Sequence, residues 1–359
     1  MKPEHDPKMN AMTTNPAGLD GIEFVEFASH EPERLHALFL AFGFSRTMRH
    51  AERDIDLYEQ NDIRFLLHKS PSGFAGAFAK AHGPSVPAMG WRVRDAKAAL
   101  EAVTSRGAQS AEGDFELARG EAMPAIYGVG ESLIYLVDRR GPALYEKMGF
   151  VKLDQPDLVA PKGFLLIDHL TNNVHKGTMQ KWAGFYEKVF GFTQVRYFDI
   201  RGVKTGLTSF AMRSPCGSFC IPINEADEKK SQINEYLDEY RGPGVQHIAF
   251  LTSDILASLA GLEGSPIEFL DIDDDYYASV FERVPGVTED RAAIQKRNVL
   301  VDGDDDGYLL QIFTKNLIGP IFIELIQRKN HLSFGEGNFG ALFRSIERDQ
   351  AKRGVFDRP

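Results

Sequence analysis

"FVEFASHEPERLHALFLAFGFSRTMR", residues 24–49, has a counterpart later in the chain in "HLTNNVHKGTMQKWAGFYEKVFGFTQVRYF", residues 169–198. Each stretch begins as a short strand, passes through a polar turn into an amphipathic helix with apolar residues three to four apart, and reaches a second strand after the tripeptide FGF. A strand–helix–strand unit that occurs twice indicates two related halves.

Two further correspondences follow in the same order. AMGWRVRDAKAAL, residues 88–100, matches HIAFLTSDILASL, residues 247–259, and aligns Asp95 with Asp254. More weakly, YLVDRR at 135–140 lies opposite ELIQRK at 324–329. Three anchors in one order predict that the repeat extends over most of the chain.

The repeat predicts an α+β protein of two homologous domains, each with a curved, mainly antiparallel sheet that could hold a small ligand on its concave face. The prolines of KLDQPDLVAPKG suggest a boundary near 150–160. We therefore predict a loose polar tail at 1–19, an N-terminal domain at 20–150 and a C-terminal domain at 151–359. A last helix at about 338–353 follows the second sheet.

Composition excludes several classes of function. The chain has 359 residues and a formal charge of -10, and its basic residues form no cluster of the kind that binds nucleic acid. The sequence contains no signal-like N-terminus and no apolar run of about 18 residues, which predicts a cytoplasmic protein that does not cross a membrane. Cys216 and Cys220 lack neighbouring ligands and are interpreted as ordinary thiols.

The second half carries three potential metal ligands at positions where the first half has none. These are His169, His247 and Glu324, aligned with Phe24, Ala88 and Tyr135. Two histidines and one carboxylate suit Fe(II) and leave coordination positions open, although the same set also binds zinc. Glu324 lies in the apolar stretch IGPIFIELIQR, where an unpaired buried carboxylate would be costly. Coordination to a metal removes that cost.

The C-terminal half resembles 4-hydroxyphenylpyruvate dioxygenase, a member of the vicinal-oxygen-chelate group that also contains glyoxalases and extradiol dioxygenases. The resemblance covers most of residues 165–350 in these motifs: IDHLTNNV, SFCIPINE, KKSQINEYL, GPGVQHIAFLTSDI, GYLLQIFTK, IFIELIQR and FGEGNFGALFRSIERDQ. It implies two domains of repeated βαβββ modules, with the metal site in the second domain alone. The N-terminal half matches the family less closely.

The resemblance also implies an activity. A non-haem Fe(II) enzyme of this family converts 4-hydroxyphenylpyruvate and O₂ to homogentisate and CO₂ in tyrosine and phenylalanine catabolism. The 2-oxo acid of the substrate chelates the metal, so no separate 2-oxoglutarate is needed. Family members form dimers or tetramers, which predicts a homo-oligomer here.

Residue roles carried over by motif fall into two sets. The iron ligands are His169, His247 and Glu324. The substrate-binding set comprises Ser209, Asn224, Gln232, Gln246, Gln311, Phe313, Phe334, Asn338 and Phe339. Strand alternation places Gln311 and Phe313 on one face, as a common cavity requires. It directs Gln246 away from His247, so Gln246 is the weakest member of the set unless a bulge turns it.

Three alternatives remain open. A 4-hydroxymandelate synthase would use the same substrate and oxidise its benzylic carbon. A binding protein of the same fold would hold a small molecule without turnover. A zinc or nickel lyase or isomerase would act without oxygen. We also predict that the C-terminal helix covers the site when substrate binds.

Overall fold

The computed structural model describes residues 14–118 and 120–357 and contains two large sheets. The first sheet has the order β11-β2-β3-β4-β1-β5-β10-β9-β6, and β7 pairs with β8 beside it. These strands are β1 Leu19–Ala28, β2 Ser45–His50, β3 Ile55–Gln60, β4 Ile63–His68, β5 Ser85–Val93, β6 Ser110–Ala111, β7 Glu116–Ala118, β8 Glu121–Ala122, β9 Ala125–Tyr127, β10 Leu133–Val137 and β11 Phe150–Asp157.

The second sheet has the order β13-β14-β15-β12-β16-β19-β18-β17. Its strands are β12 Phe164–Asn173, β13 Thr193–Arg201, β14 Gly206–Arg213, β15 Cys220–Glu225, β16 Gly244–Thr252, β17 Leu300–Gly303, β18 Tyr308–Phe313 and β19 Phe322–Lys329.

The helices pack against these sheets. They are α1 Pro32–Ala41, α2 Gly73–His82, α3 Ala96–Ser105, α4 Pro142–Lys147, α5 Met179–Phe185, α6 Gln232–Tyr240, α7 Ile255–Gly261, α8 Asp274–Arg283, α9 Arg291–Lys296 and α10 Phe339–Lys352. Asp95 and Asp254, aligned in the sequence, each accept a hydrogen bond from the first turn of α3 or α7. No helix in the described ranges has the length and apolar character needed to cross a membrane.

The sheet register reproduces the sequence alignment of the two halves. Phe24 of β1 is paired with Gly90, which is paired with Tyr135 of β10. In the second sheet His169 is paired with Ala249, which is paired with Glu324 of β19. The predicted repeat is therefore confirmed at the level of single residue pairs.

Aromatic side chains of each half pack against the other half. Trp91 of the first half packs against Phe190 and Phe219 of the second, with ring centroids 4.8 and 5.3 Å away. Its counterpart Phe250 packs against Phe44 and Phe65 of the first half, at 5.7 and 5.9 Å. Because these rings are fully buried, the halves share one apolar interface.

Two predicted boundaries are wrong. A division after residue 150 would cut β11, which pairs with β2 and completes the first sheet at Asp157. The tail predicted at 1–19 is also too long, because Ala17 is buried and Leu19 begins β1. Residues 1–13 lie outside the described ranges.

Candidate metal centre and substrate cavity

The three predicted ligands converge at the centre of the second sheet. Nε2 of His169 lies 3.0 Å from Oε2 of Glu324, and Nε2 of His247 lies 3.4 Å from the same oxygen. They come from β12, β16 and β19, three adjacent strands, so their convergence follows from the sheet order. His169 and Glu324 are each 3 % exposed, and His247 is partly buried.

Two β-bulges supply the hydrogen bonds that orient the histidines. Ile167 and His169 pair with consecutive residues of β16, which leaves Asp168 as the extra residue. In the same way Thr171 and Asn172 pair with His247 and Val245, leaving Gln246 as the extra residue on β16. A bulge turns a side chain away from the direction of regular alternation.

Each bulged residue bonds the histidine that follows it. Oδ1 of Asp168 lies 2.8 Å from Nδ1 of His169, and Oε1 of Gln246 lies 3.1 Å from Nδ1 of His247. An acceptor at Nδ1 holds the proton there and leaves Nε2 directed at Glu324. Regular strand alternation would direct Gln246 away from His247, but a bulge, the exception that the sequence analysis named, re-aims it.

The electrostatics of the site favour an ionised Glu324. Burial by itself raises the pKa of this carboxyl, but the two imidazoles outweigh burial and lower it below its usual range. Burial would lower the pKa of His169, yet Glu324 and Asp168 raise it to about 9. Burial lowers the pKa of His247 despite the Glu324 carboxylate. A metal ion that binds Nε2 of His169 must therefore displace a proton, which leaves one anionic and two imidazole ligands.

The donor set fits a divalent metal ion. Ligands about 2.1 Å from a metal and at right angles to one another are about 3 Å apart, close to the distances of 3.0 and 3.4 Å found here. A coordinated ion would also explain why a carboxylate lies on an apolar strand. Two imidazoles and a carboxylate on one face suit Fe(II) with open positions on the other side.

The three predicted ligands form part of the wall of an open cavity. It brings together eight of the nine predicted substrate residues: Ser209, Asn224, Gln232, Gln246, Gln311, Phe313, Phe334 and Phe339. The ninth, Asn338, is fully buried but does not line this cavity. Its amide nitrogen is 3.5 Å from Oε1 of Gln311, and its oxygen accepts a 2.6 Å bond from Tyr276. Asn338 therefore supports Gln311 from behind.

Amide side chains form a polar band along one side of the cavity. Oε1 of Gln246 accepts from Asn224 at 3.4 Å, and Nε2 of Gln246 donates to Gln232 at 3.4 Å. Aromatic rings form another part of the wall, where Phe198 meets Phe334 and Phe339 with ring centroids 6.1 and 5.1 Å away. The cavity thus combines an apolar slot with a few fixed polar groups.

Several lining residues lie outside the predicted set of ligands and substrate-binding residues. They are Thr171, Phe198, Ile200, Leu207, Pro222, Phe322, Leu342, Phe343 and Ile346. Some had a signal in the sequence, since Thr171 is two residues from His169 on the same face of β12 and Leu342 and Ile346 are one helical turn apart. These two residues of α10 place the predicted C-terminal helix against the cavity.

A second group of possible ligands lies in the first half. Glu26, His68 and Asp114 bring one ligand atom each within 4.8 Å of the others. The Asp114 carboxylate accepts from two amides at the start of α2, and Nδ1 of His68 lies 3.3 Å from Glu26. Burial raises the pKa of Glu26. Burial alone would lower the pKa of His68, but the neighbouring Glu26 outweighs burial and raises it. We interpret this group as a buried ion pair beside a helix cap.

Comparison with known proteins identifies the superfamily to which this fold belongs. Residues 13–153 match the family model described as hydroxyphenylpyruvate dioxygenase, N-terminal, and residues 166–312 match the glyoxalase, bleomycin resistance protein and dioxygenase superfamily. A solved triple mutant of 4-hydroxymandelate synthase from Streptomyces coelicolor superposes with a TM-score of 0.81. It is 23% identical and covers 93% of this chain and 99% of its own, so it shows the fold alone. The fold and site thus define a protein of the glyoxalase and dioxygenase superfamily with two related domains.

Closer relatives narrow this class. Protein MelA of Shewanella colwelliana is 57% identical over 96% of this chain and 99% of its own length. The 4-hydroxyphenylpyruvate dioxygenase of Pseudomonas aeruginosa is 45% identical over 95% of this chain and 97% of its own. The chain belongs to the 4-hydroxyphenylpyruvate dioxygenase family and is an enzyme of that family.

Proposed function

We propose that the protein binds Fe(II) through His169, His247 and Glu324 and converts 4-hydroxyphenylpyruvate and O₂ to homogentisate and CO₂. The observation that carries the proposal is the convergence of these three ligands beneath a cavity with an aromatic and an amide side. The full-length relatives named as 4-hydroxyphenylpyruvate dioxygenases support the choice of substrate.

The reaction conserves every atom of its two substrates. Both oxygen atoms of O₂ enter the products, one in the new carboxylate and one on the ring, while the original carboxyl carbon leaves as CO₂. A bound ferrous ion would supply the place where the 2-oxo acid and O₂ meet, and the oxo acid itself supplies two electrons. The protein therefore needs no second reductant.

The chain contributes position and exclusion of water. Glu324 supplies the negative charge of the ligand set, while Asp168 and Gln246 hold the two imidazoles with Nε2 inward. Phe334 and Phe339 form with Phe198 an apolar slot for the substrate ring. These rings also keep water from a reactive site.

The polar ends of the substrate meet amides. Gln311 lines the cavity and accepts a hydrogen bond from Asn338, and the band containing Gln246 and Asn224 lies beside His247. Amides can donate to a phenol oxygen or to a carboxylate and can also accept from a phenol O–H. Such contacts fix the ring relative to the metal ligands.

Anaerobic reconstitution with Fe(II), followed by an oxygen electrode and chromatography of the products, tests the proposal. The wild type should consume one O₂ per homogentisate formed, and Glu324→Gln should bind little iron and show background turnover. Glu26→Gln is the matched control, because Glu26 is equally buried beside a histidine in the first half. It should retain iron and turnover. The proposal would be refuted if turnover did not depend on added iron, or if Glu324→Gln were fully active.

The same assay separates the alternatives. Formation of 4-hydroxymandelate would identify a synthase, and conversion that continues without oxygen would identify a lyase or isomerase. Homo-oligomer formation remains a prediction, for which light scattering coupled to size-exclusion chromatography is the direct measurement.

A further inference from the structure

The bulge that carries Asp168 is part of the fold of both halves. In the first half Ile22 and Phe24 pair with Trp91 and Gly90, which leaves Glu23 as the extra residue. An acid thus occupies the bulge in each half, one position before His169 or its counterpart Phe24. In the first half Glu23 has no histidine to orient and accepts 2.5 Å and 3.2 Å bonds from Arg92 and Tyr145.

In the second half the bulged acid has a different arginine. Arg328 of β19 donates from Nε to Oδ2 and from Nη2 to Oδ1 of Asp168, both at 2.8 Å. The paired guanidinium and carboxylate are planar and bidentate, the geometry in which an arginine fixes a carboxylate most firmly. Asp168 is thereby held with Oδ1 at Nδ1 of His169.

The other edge of Arg328 holds the segment that precedes α10. Nη1 donates to the carbonyl oxygens of His331 at 3.0 Å and Ser333 at 2.6 Å. The next residue, Phe334, lines the cavity with its ring 5.9 Å from the guanidinium carbon and 5.6 Å from the His169 ring. Arg328 therefore reaches His169 by two routes, through Asp168 and through Phe334.

We infer that Arg328 is a positioning residue that couples the orientation of the ligand His169 to the placement of residues 331–334 against the substrate cavity. The inference rests on the proposed function, since it assigns His169 to a metal. Loss of Arg328 would release Asp168 to rotate and allow His169 to turn away from the metal. It would also release Phe334 from the wall of the cavity. Both changes would alter the site although Arg328 itself does not line the cavity.

A purely structural role predicts something else. If Arg328 served stability alone, its removal would lower the melting temperature without altering the metal ligands that remain in folded protein. Arg92→Gln is the matched control, because Arg92 also forms a bidentate pair with a carboxylate, bonds a bulged acid and is about as buried. The half that contains it has no ligand histidine at the corresponding position.

Co(II) binding to chelator-treated full-length protein gives a readout that is independent of turnover. We expect Arg328→Gln to weaken Co(II) binding by about 10- to 100-fold and to change the visible absorption of the bound ion, as is typical when the partner of a ligand histidine is lost. Arg328→Lys should recover part of the affinity. Asp168→Ala should match Arg328→Gln in Co(II) affinity, and the double variant should bind Co(II) no worse than Asp168→Ala, because Arg328 acts on Nδ1 of His169 through Asp168, whereas its contacts with residues 331–334 act on the cavity.

The coupling to the cavity is measured with substrate. In folded Arg328→Gln loaded with saturating Fe(II), we expect less product per O₂ consumed, whereas Arg92→Gln should keep the wild-type ratio. Co(II) affinity within twofold of wild type, or an equal change in Arg92→Gln, would overturn the inference. Should Arg328→Gln fail to fold, Asp168→Ala and Arg328→Lys decide the question by the same criteria. Absence of Co(II) binding and turnover in the wild type would instead refute the proposed function.

Discussion

Removing the carboxylate of Glu347 should loosen the C-terminal helix from the substrate cavity. Glu347 lies on α10 and is 7 % exposed. Its oxygens accept four hydrogen bonds from the loop between β13 and β14: from the amides of Val203 at 3.1 Å, Lys204 at 2.9 Å and Thr205 at 2.9 Å, and from the Thr205 hydroxyl at 3.1 Å. The same helix presents Leu342 and Ile346 to the cavity.

The size of the effect follows from these bonds. A hydrogen bond to a charged group contributes about 1.5–3 kcal/mol, but four bonds that share one carboxylate are not additive. The Val203 side chain is largely exposed, so water can reach part of the loop in the variant. We therefore expect Glu347→Ala to lower the free energy of opening α10 by about 3 kcal/mol, which is about a 100-fold increase in the open population.

Hydrogen exchange measured by mass spectrometry reports that population directly. Amides of residues 339–352 should exchange about 100-fold faster in Glu347→Ala, while those of the first sheet keep their rates. Glu225→Ala is the control, because Glu225 also accepts two backbone amides, at 2.9 and 3.0 Å, but these belong to the start of α5. The reasoning would be refuted if α10 exchanged within threefold of wild type, or if Glu225→Ala accelerated it equally.

Three further predictions follow from the site and the first sheet. Gly335→Ala should raise KM, because a Cβ there would lie 2.0 Å from Oε1 of Gln311. Gly264 has a similar positive φ but open space around it, so Gly264→Ala should change stability alone. Steady-state kinetics of both variants test this, and equal KM values would contradict it. Burial by itself would raise the pKa of Asp56, but Arg49 and Lys69 outweigh burial and lower this pKa below 3.8. The Asp56 carboxylate therefore stabilises the fold at pH values above its unfolded pKa, and this contribution is lost as the pH falls through the folded pKa. Urea unfolding of Asp56→Asn should therefore show a loss of about 3 kcal/mol at pH 7 that shrinks in acid, and a loss independent of pH would contradict this assignment. Deletion of residues 341–359 should uncouple oxygen consumption from product formation, and unchanged coupling in the oxygen electrode would rule out a covering role for the helix.

The alignment of the two halves located the candidate metal ligands because the two sheets share one register. Once Phe24 is aligned with His169, the equivalent pairing of β1 with β5 and of β12 with β16 also aligns the remaining strand positions of the two halves. Alternation along a strand likewise predicted that Gln311 and Phe313 share a cavity, and both line it. Period-two patterns and internal repeats depend only on the order of residues in the chain, so they can be recognised from the sequence.

The direction of Asp168 and Gln246 was decided by the tertiary structure. Each lies at a bulge, and a bulge arises from the hydrogen-bond register between two strands that are distant in sequence. The same holds for Asn338, which the motif placed with the substrate residues but which packs behind Gln311. Arg328 showed no periodic signal either, since its partners in the chain are an acid on another strand and carbonyl groups in a loop. Sequence thus determined which side chains the sheet brings together at the candidate metal site, and only the folded chain determined what holds them in place, because such contacts depend on where separate segments meet.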